Sequence, residues 1–255
     1  MAENMEFPTT IVDLPSKGYY YSKDNPLSKG EIECSYMVGK SEDILSSVAY
    51  IRKGIVIDKL LESLIVDKTI KYGDLLAGDI SQIMVAARVS GYGSKYPVSI
   101  TCKSCGKRND VVANLEELHD AVVKFPAEPP YKNEFTFTLP ISKQAITFKL
   151  LTRNDLTAIR KETESLAILD EDLNRLGTTR MKYSILSIHG DNTQATIRNA
   201  VDNMPVADAR AFRENYKTVD PDVDFTINFT CSKCGATGRE DLVLDETFFW
   251  PDTRL

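Results

Sequence analysis

The chain has 255 residues, of which 42% are apolar and 27% charged, and its formal net charge is -6. This length allows one large domain or two small ones with a core that needs no disulfides, and the composition excludes a chain that is disordered throughout. The acidic balance disfavours nucleic acid as a partner, because proteins that neutralise phosphates are usually basic.

The sequence predicts neither an export signal nor a membrane-spanning segment. The first residues, MAENMEFPTTIVDLP, lack the basic start and the apolar stretch of a signal peptide. No apolar run approaches the roughly 20 residues of a membrane-spanning helix. We therefore expect a protein that stays in the cytoplasm and has no membrane partner.

The first half opens with an arm rich in turn residues. The segment VDLPSKGYYYSKDNPLSKG precedes the alternating run EIECSYM, and this order predicts a hairpin. Cys34 lies in the alternating run and is assigned no role beyond that of a strand residue. Downstream, IRKGIVIDKLLESLIV predicts a helix with Ile55, Ile57, Leu60, Leu61 and Leu64 on one face.

The rest of the chain repeats this alternation of strands and helices. An amphipathic helix after Asp79 leads to the strand PVSITC, and LEELHDAVV predicts a helix that contains His119. The linker VVKFPAEPPYKN then separates residues 1–125 from residues 126–255. The second half predicts a hairpin in FTFTLPISKQ, a helix in LTAIRKETESLAILDEDLNRL that ends at Gly177, and a strand in DFTINFTC.

Four of the five cysteines form two C-x-x-C pairs, Cys102 with Cys105 and Cys231 with Cys234. Each pair is followed by glycine and lies between two strand-like runs, which is typical of a zinc knuckle and not of a thioredoxin-like motif. A structural Zn²⁺ takes four ligands, so two knuckles are most simply halves of one shared site. The alternative is that both pairs are reduced surface thiols.

An internal duplication follows from the same residues. When Cys102 is set on Cys231, Asp79 falls on Asp208 and Gly106 on Gly235. Each copy then has a hairpin, helices, and a strand, knuckle and strand. We therefore predict an α+β fold of two halves related by an approximate twofold axis and joined by one zinc ion. The first half carries an extended N-terminal arm, and the second carries an aromatic C-terminal tail.

Catalytic motifs are missing from the sequence. It contains no phosphate-binding loop, no H-E-x-x-H and no G-x-S-x-G. His119 and His189 are interpreted as a solvated residue and a turn residue, and Glu162 and Glu164 as part of an exposed helix face, like Asp170, Glu171 and Asp172. Because four cysteines fill the coordination of a zinc ion, the metal is predicted to be structural and the protein not to be an enzyme.

An ordered set of motifs runs from Leu14 to Pro251. It consists of VDLPSKGYYYS, G-E-I-E, K-S-E-D-I-L, K-G-x-x-x-D-K-L-L-E-S, D-L-L-x-G-D, AARVSGYG, C-x-x-C-G and FFWP. As a set it resembles the baseplate hub and hub-assembly proteins of T4-like contractile-tailed bacteriophages. The resemblance implies a protein without catalytic activity that acts through contacts with other hub or tail assembly proteins. It leaves open whether the protein stays in the virion or leaves as an assembly chaperone.

Two aromatic segments near the ends are candidate partner-binding residues. They are Tyr19, Tyr20 and Tyr21 in the arm, and Phe248, Phe249 and Trp250 in the tail. Aromatic side chains anchor many protein interfaces, and a bare Phe-Phe-Trp would be an apolar patch that a partner covers. The alternative is that both segments fold back onto their own halves.

A second function stays open at this point, a zinc-ribbon protein that binds nucleic acid. Lys95, Lys103, Lys107 and Arg108 surround the first knuckle and favour it. Glu240, Asp241 and Asp245 surround the second knuckle and disfavour it. The sequence also lacks the interleaved basic and aromatic residues of a base-stacking surface.

Overall fold

The protein has an α+β fold in a computed structural model that describes residues 8–169, 174–242, 244 and 248–250. The strands are β1 Thr9–Asp13, β2 Glu31–Ser35, β3 Lys95–Thr101, β4 Arg108–Asn114, β5 His119–Asp120, β6 Phe135–Thr138, β7 Ala145–Phe148, β8 Ile185–Ile188, β9 Val223–Asp224, β10 Thr226–Thr230 and β11 Thr237–Asp241. The helices are α1 Gly39–Leu45, α2 Val48–Arg52, α3 Val56–Leu64, α4 Ala77–Tyr92, α5 Arg153–Leu169, α6 Leu176–Ser184, α7 Gln194–Asp202 and α8 Val206–Val219.

Both predicted upstream hairpins are confirmed by their backbone pairing. β1 pairs antiparallel with β2, with Thr9 opposite Ser35, and β6 pairs antiparallel with β7. The long connection after β1 folds back on itself at Gly18, whose φ of +74° puts it in the left-handed region. A Cβ there would lie 2.4 Å from the carbonyl oxygen of Ser28, so both the turn and the close approach require glycine.

The helices depart from the sequence-based expectation in three places. The predicted helix over residues 51–66 is broken at Gly54, which has a φ of 61°, and α3 buries Val56 in addition to Leu60, Leu61 and Leu64 while Ile57 is half-buried. Gly177 does not end a helix, because it lies inside α6. His119 is in β5 and not in a helix, since this short strand pairs with β9 of the second half.

The described buried apolar residues form one large core and two smaller clusters. The large core joins β1, β2, α3 and α4 to residues of the second half, including Leu150 and Leu242. A second cluster packs β7 and β8 against α6, α7 and α8 around Phe148 and Phe212. The linker crosses between the halves, because its Lys124 amide donates to Thr218 O and its Tyr131 amide donates to Tyr19 O.

The two aromatic segments pack into the large core, so the alternative that they fold back onto the protein describes most of their side chains. Tyr20, Tyr21, Phe248 and Phe249 are all buried. Tyr20 stacks on Phe125 of the linker with ring centroids 6.2 Å apart, and Phe248 meets Tyr96 of β3 edge to face at 5.3 Å. Packing within the core removes these four rings from water, and of the six aromatic residues only Tyr19 and Trp250 keep partial exposure.

A buried aspartate in the first turn of α4 holds the arm. Asp79 accepts hydrogen bonds from the Ser16 amide at 3.0 Å, the Ser16 hydroxyl at 2.8 Å and the Tyr21 hydroxyl at 2.6 Å. Burial raises the pKa of Asp79 to about 6, although its hydrogen-bond donors act in the opposite direction. A carboxylate at a helix N-terminus is also favoured by the helix dipole. These interactions fix the turn of the first hairpin to the start of α4.

The first turn of α8 carries the corresponding contact for the second hairpin. Asp208 accepts the Ile141 amide at 2.7 Å and the Ser142 amide at 2.9 Å. Both amides follow Leu139-Pro140, as Ser16 follows Leu14-Pro15. Although burial opposes it, donation from the two amides lowers the pKa of Asp208.

The start of α4 also packs closely against the second half. A Cβ on Gly78 would lie 1.8 Å from Pro221 O, so glycine alone permits this approach. It brings Asp79 near Asp220 and Asp222, and Arg180 faces the same group of carboxyls. Burial, together with the charge of Asp222, raises the pKa of Asp220 to about 7.

We expect Asp79→Ala to lower the free energy of unfolding by about 3 kcal/mol, because it leaves buried donors on Ser16 and Tyr21 without an acceptor. Chemical denaturation at neutral pH measures this loss. Asp43→Ala, at an exposed position of α1, is the matched control and should change stability by less than about 0.5 kcal/mol. Equal losses in both variants would contradict a structural role for Asp79.

Asp220→Asn should change how stability depends on pH. The folded-state pKa of about 7 lies above the ordinary value of 3.8, so the stabilisation from protonated Asp220 is present in acid and is lost as pH rises through about 7. Between pH 5 and pH 8 the variant should therefore gain on the order of 2 kcal/mol relative to the wild type. Denaturation at several pH values measures this. Asp43→Asn is the control, and a pH-independent difference for Asp220→Asn would contradict the assignment.

Candidate metal centre

The two cysteine pairs form turns with the same local geometry. In the first, the Gly106 amide donates to Cys102 O at 2.9 Å, and in the second the Gly235 amide donates to Cys231 O at 3.0 Å. Both glycines have left-handed φ values, 68° and 69°. This is the conformation that the glycine after each pair was expected to supply.

The sulfurs of both turns come together although the turns are far apart in the chain. All four lie within 4.8 Å of one another. Cys102 Sγ is 3.7 Å from Cys234 Sγ, and Cys105 Sγ is 3.6 Å from Cys231 Sγ. Cys102 and Cys231 are buried, whereas Cys105 is half-buried and Cys234 is exposed.

The strands that carry the turns pack against each other beneath the sulfurs. β3 pairs with β4, β10 pairs with β11, and the two hairpins are separate sheets. Ile100 and Phe229 form a small apolar cluster with the buried cysteines. Above it, Lys103 Nζ reaches Glu240 Oε2 across the two hairpins at 2.7 Å.

Asn109 connects the first hairpin to the second turn. Its side-chain oxygen accepts the Ser232 amide at 3.0 Å and the Ser232 hydroxyl at 2.7 Å. Its side-chain nitrogen donates to Lys107 O at 2.8 Å and lies 3.8 Å from Cys231 Sγ. The side chain is buried and uses both ends of its amide, so it fixes the relative position of the two knuckles.

Sequence reasoning missed Asn109, although a signal was present. The alternation in β4 puts residue 109 on the same inward face as Val111 and Ala113. A polar residue on an apolar face, directly after a cysteine turn, indicates a buried hydrogen-bonding role.

The surroundings of Cys231 favour its thiolate. The amides of Cys234 and Lys233 are directed at its sulfur and lower the pKa of Cys231 to about 6, and the Lys233 amide is 3.4 Å from that sulfur. A thiolate is the form of cysteine that binds metals. The turn thus prepares one sulfur as a ligand.

The donor set fits a tetrahedral metal ion. A Zn–S distance of about 2.3 Å places tetrahedral sulfurs about 3.8 Å apart, which agrees with the cross-hairpin distances of 3.7 and 3.6 Å. A site with four sulfurs suits zinc or iron. With every coordination position filled by protein, an ion there has none open for water or substrate.

The other candidate residues lie away from this cluster. His119 and His189 are exposed, and His189 lies in a turn with a φ of 48°. Glu162 is not a free surface carboxylate as expected, because it accepts from the Tyr183 hydroxyl at 2.9 Å and pairs with Arg198 at 3.3 Å. Asp170, Glu171 and Asp172 fall outside the described residues, and so does Asp245.

Cys34 is a buried residue of β2, as its alternating segment predicted. Burial raises its pKa to about 11, so it stays a thiol. It takes no part in the cysteine cluster.

The basic residues around the first knuckle are partly engaged within the protein. Lys103 is paired with Glu240 as described above, and Arg108 donates to Ser99 Oγ at 2.9 Å. Lys95 and Lys107 remain exposed. This arrangement does not favour a nucleic-acid surface.

Among the described residues no helix is long and apolar enough to cross a membrane. No curated protein and no solved structure matches the chain. A protein-family match, described as T4 bacteriophage base plate protein, covers residues 8–250. Since this is nearly the whole sequence, the chain belongs to the family of T4 bacteriophage base plate proteins.

Proposed function

We propose that this protein is a non-enzymatic structural or assembly component of the baseplate hub of a phage tail, stabilised by one zinc ion that Cys102, Cys105, Cys231 and Cys234 bind. The observation that carries the proposal is the group of four sulfurs formed across two distant hairpins in a chain of the baseplate family. The protein then acts through contacts with other hub or tail assembly proteins.

An internal duplication explains why one site draws two ligands from each half. Residues 1–125 and 126–255 are the proposed copies. The matching cysteine turns support this. Asp79 and Asp208 support it too, because each lies in the first turn of a helix and binds the loop after a Leu-Pro pair. One copy alone holds only half of a four-ligand site, so the zinc ion joins the copies.

The proposed place of action is the host cytoplasm during assembly and then the virion tail baseplate. A zinc ion with four thiolates supplies stability, because binding a structural zinc ion contributes on the order of 10 kcal/mol at neutral pH. Contact surfaces must then lie elsewhere on the protein. Tyr19 and Trp250 stay candidates because they are partly exposed, whereas the four buried aromatic residues serve the core.

Purified protein should contain one zinc ion per chain, and Cys102→Ser should lose it. Loss of one ligand opens the site, so we expect both cysteine hairpins to exchange their amides faster and the unfolding midpoint to fall. Mass spectrometry of metals and hydrogen exchange measure these effects. Ser104→Ala, in the same turn at an exposed position, should keep both metal and stability. Metal-free wild-type protein, or iron in place of zinc, would overturn the zinc assignment.

The chain should be found in hub intermediates isolated from infected cells, and quantitative mass spectrometry of those intermediates and of finished particles measures this. Presence in both indicates a permanent component, and presence only in intermediates indicates an assembly factor. We expect no retention on DNA at physiological salt. Absence from both fractions together with salt-dependent binding to DNA would contradict the proposed function and support the zinc-ribbon alternative.

A further inference from the structure

A cavity of about 620 Å³ lies between the two cysteine hairpins. Residues 111–114 of β4 form one wall and residues 226–228 of β10 form the other. The strands are not hydrogen-bonded to each other, since each belongs to its own two-stranded sheet. We call this cavity the inter-hairpin groove.

Contacts between the halves bound both ends of the groove. At one end, β5 and β9 pair directly, with His119 opposite Asp224. At the other end, Asn109 holds Ser232 next to the cysteine cluster. These contacts at both ends fix the position of the two hairpins relative to each other.

The wall formed by β4 presents unused backbone groups. The Cys102 amide donates to Lys107 O, and the Leu115 amide donates to Ser94 O. Hydrogen-bonded and non-hydrogen-bonded pairs alternate along an antiparallel ladder. These two bonds therefore place the other hydrogen-bonded positions of β4 at residues 109, 111 and 113. Asp110, Val112 and Asn114 consequently direct their amides and carbonyls away from β3, and no described residue accepts from these amides.

The wall formed by β10 presents similar groups. The Cys231 amide donates to Ala236 O, and the Leu242 amide donates to Phe225 O. By the same alternation, the amides of Asn228 and Thr230 point away from β11. The Thr226 amide also points this way, but it is bound by the Asp224 side chain at 3.0 Å.

The outer edge of β3 is blocked at its centre, unlike the edge of β4 inside the groove. On β3 the outward position opposite Val112 is Pro97, which has no amide to donate. Charged residues occupy outward positions on β11, at Arg239 and Asp241, and also on β4, at Arg108 and Asp110, so the proline is what distinguishes the two edges of the first hairpin. Proline and charged side chains are devices that keep edge strands from pairing. The centre of the groove, at Val112 and Asn228, has neither.

We propose that the inter-hairpin groove binds an extended segment of another baseplate protein, which adds a β-strand along the free edge of β4. The inference rests on the proposed baseplate function. Only an extended chain offers donors and acceptors in series to match such an edge. The stretch from Asp110 to Asn114 accommodates about five residues, or about 17 Å. Small or β-branched side chains suit the groove floor, where Val111 and Ile227 are half-buried.

Val112→Pro tests the proposal by removing one backbone amide from the edge of β4. Val112 faces Pro97 at a position without ladder hydrogen bonds, so proline removes the outward amide and leaves the hairpin ladder intact. The control is Lys95→Pro, the same change at an exposed, outward position of β3. Zinc content and circular dichroism establish that each variant is folded. Val112→Lys, which places a charged residue on the edge, is a second variant in case Val112→Pro does not fold.

The binding probes are the purified baseplate proteins of the same phage, added one at a time. We expect one of them to bind the wild type, to slow amide exchange at residues 110, 112 and 114 at least tenfold, and to bind folded Val112→Pro at least tenfold more weakly. Lys95→Pro should bind as the wild type does. Unchanged binding of the folded groove variants, or unprotected amides in the complex, would overturn the inference and leave the proposed function standing.

Other occupants give different results, each of which overturns the inference. A dimer of the wild type that Val112→Pro converts to a monomer, seen by light scattering, assigns the groove to a second copy of this chain. Amides that are already protected in the free protein, and that lose protection when residues 251–255 are deleted, assign it to the protein's own end. Failure of every baseplate protein to bind the wild type overturns the proposed function itself.

Discussion

The convergence of four cysteine sulfurs on one small volume constrains the rest of the structure. The four sulfurs, with two cross-hairpin pairs 3.6–3.7 Å apart, form a donor set that could hold a metal cation between them. The constraint acts at long range in the sequence. It fixes two hairpins of different halves, and everything attached to them, in one relative position.

A second kind of restraint acts within each half. In each half an aspartate in the first turn of a helix accepts hydrogen bonds from backbone amides of a hairpin connection. Asp79 does this for the arm, and Asp208 does it for the second hairpin. Such buried, satisfied acceptors specify one geometry, because a shifted turn would leave donors unpaired. Gly78 then lets α4 approach the second half closely enough for the carboxyls of Asp79, Asp220 and Asp222 to influence one another. The cysteine cluster and the carboxylates thus act on different length scales.

The sequence predicts the features whose chemistry is local. Spacing within C-x-x-C-G suffices to predict each turn, and alternation predicts both upstream hairpins, because these patterns report on neighbouring residues. The prediction of one continuous helix across Gly54 was wrong, because this glycine with positive φ separates α2 from α3. The prediction of a helix at His119 was also wrong, because this residue pairs in β5 with β9, a strand of the other half. The burial of Phe248 could not be read from sequence, for its partner Tyr96 lies in a distant strand.

The position of the groove also bears on solubility. Two unpaired strand edges on a protein surface invite pairing with further copies, which is how edge strands promote aggregation. Here the two edges line one cavity, and contacts between the hairpins lie at both of its ends. A single extended segment needs less room in such a cavity than the edge of another folded sheet does. The groove therefore favours strand addition by one extended chain over pairing with a folded copy.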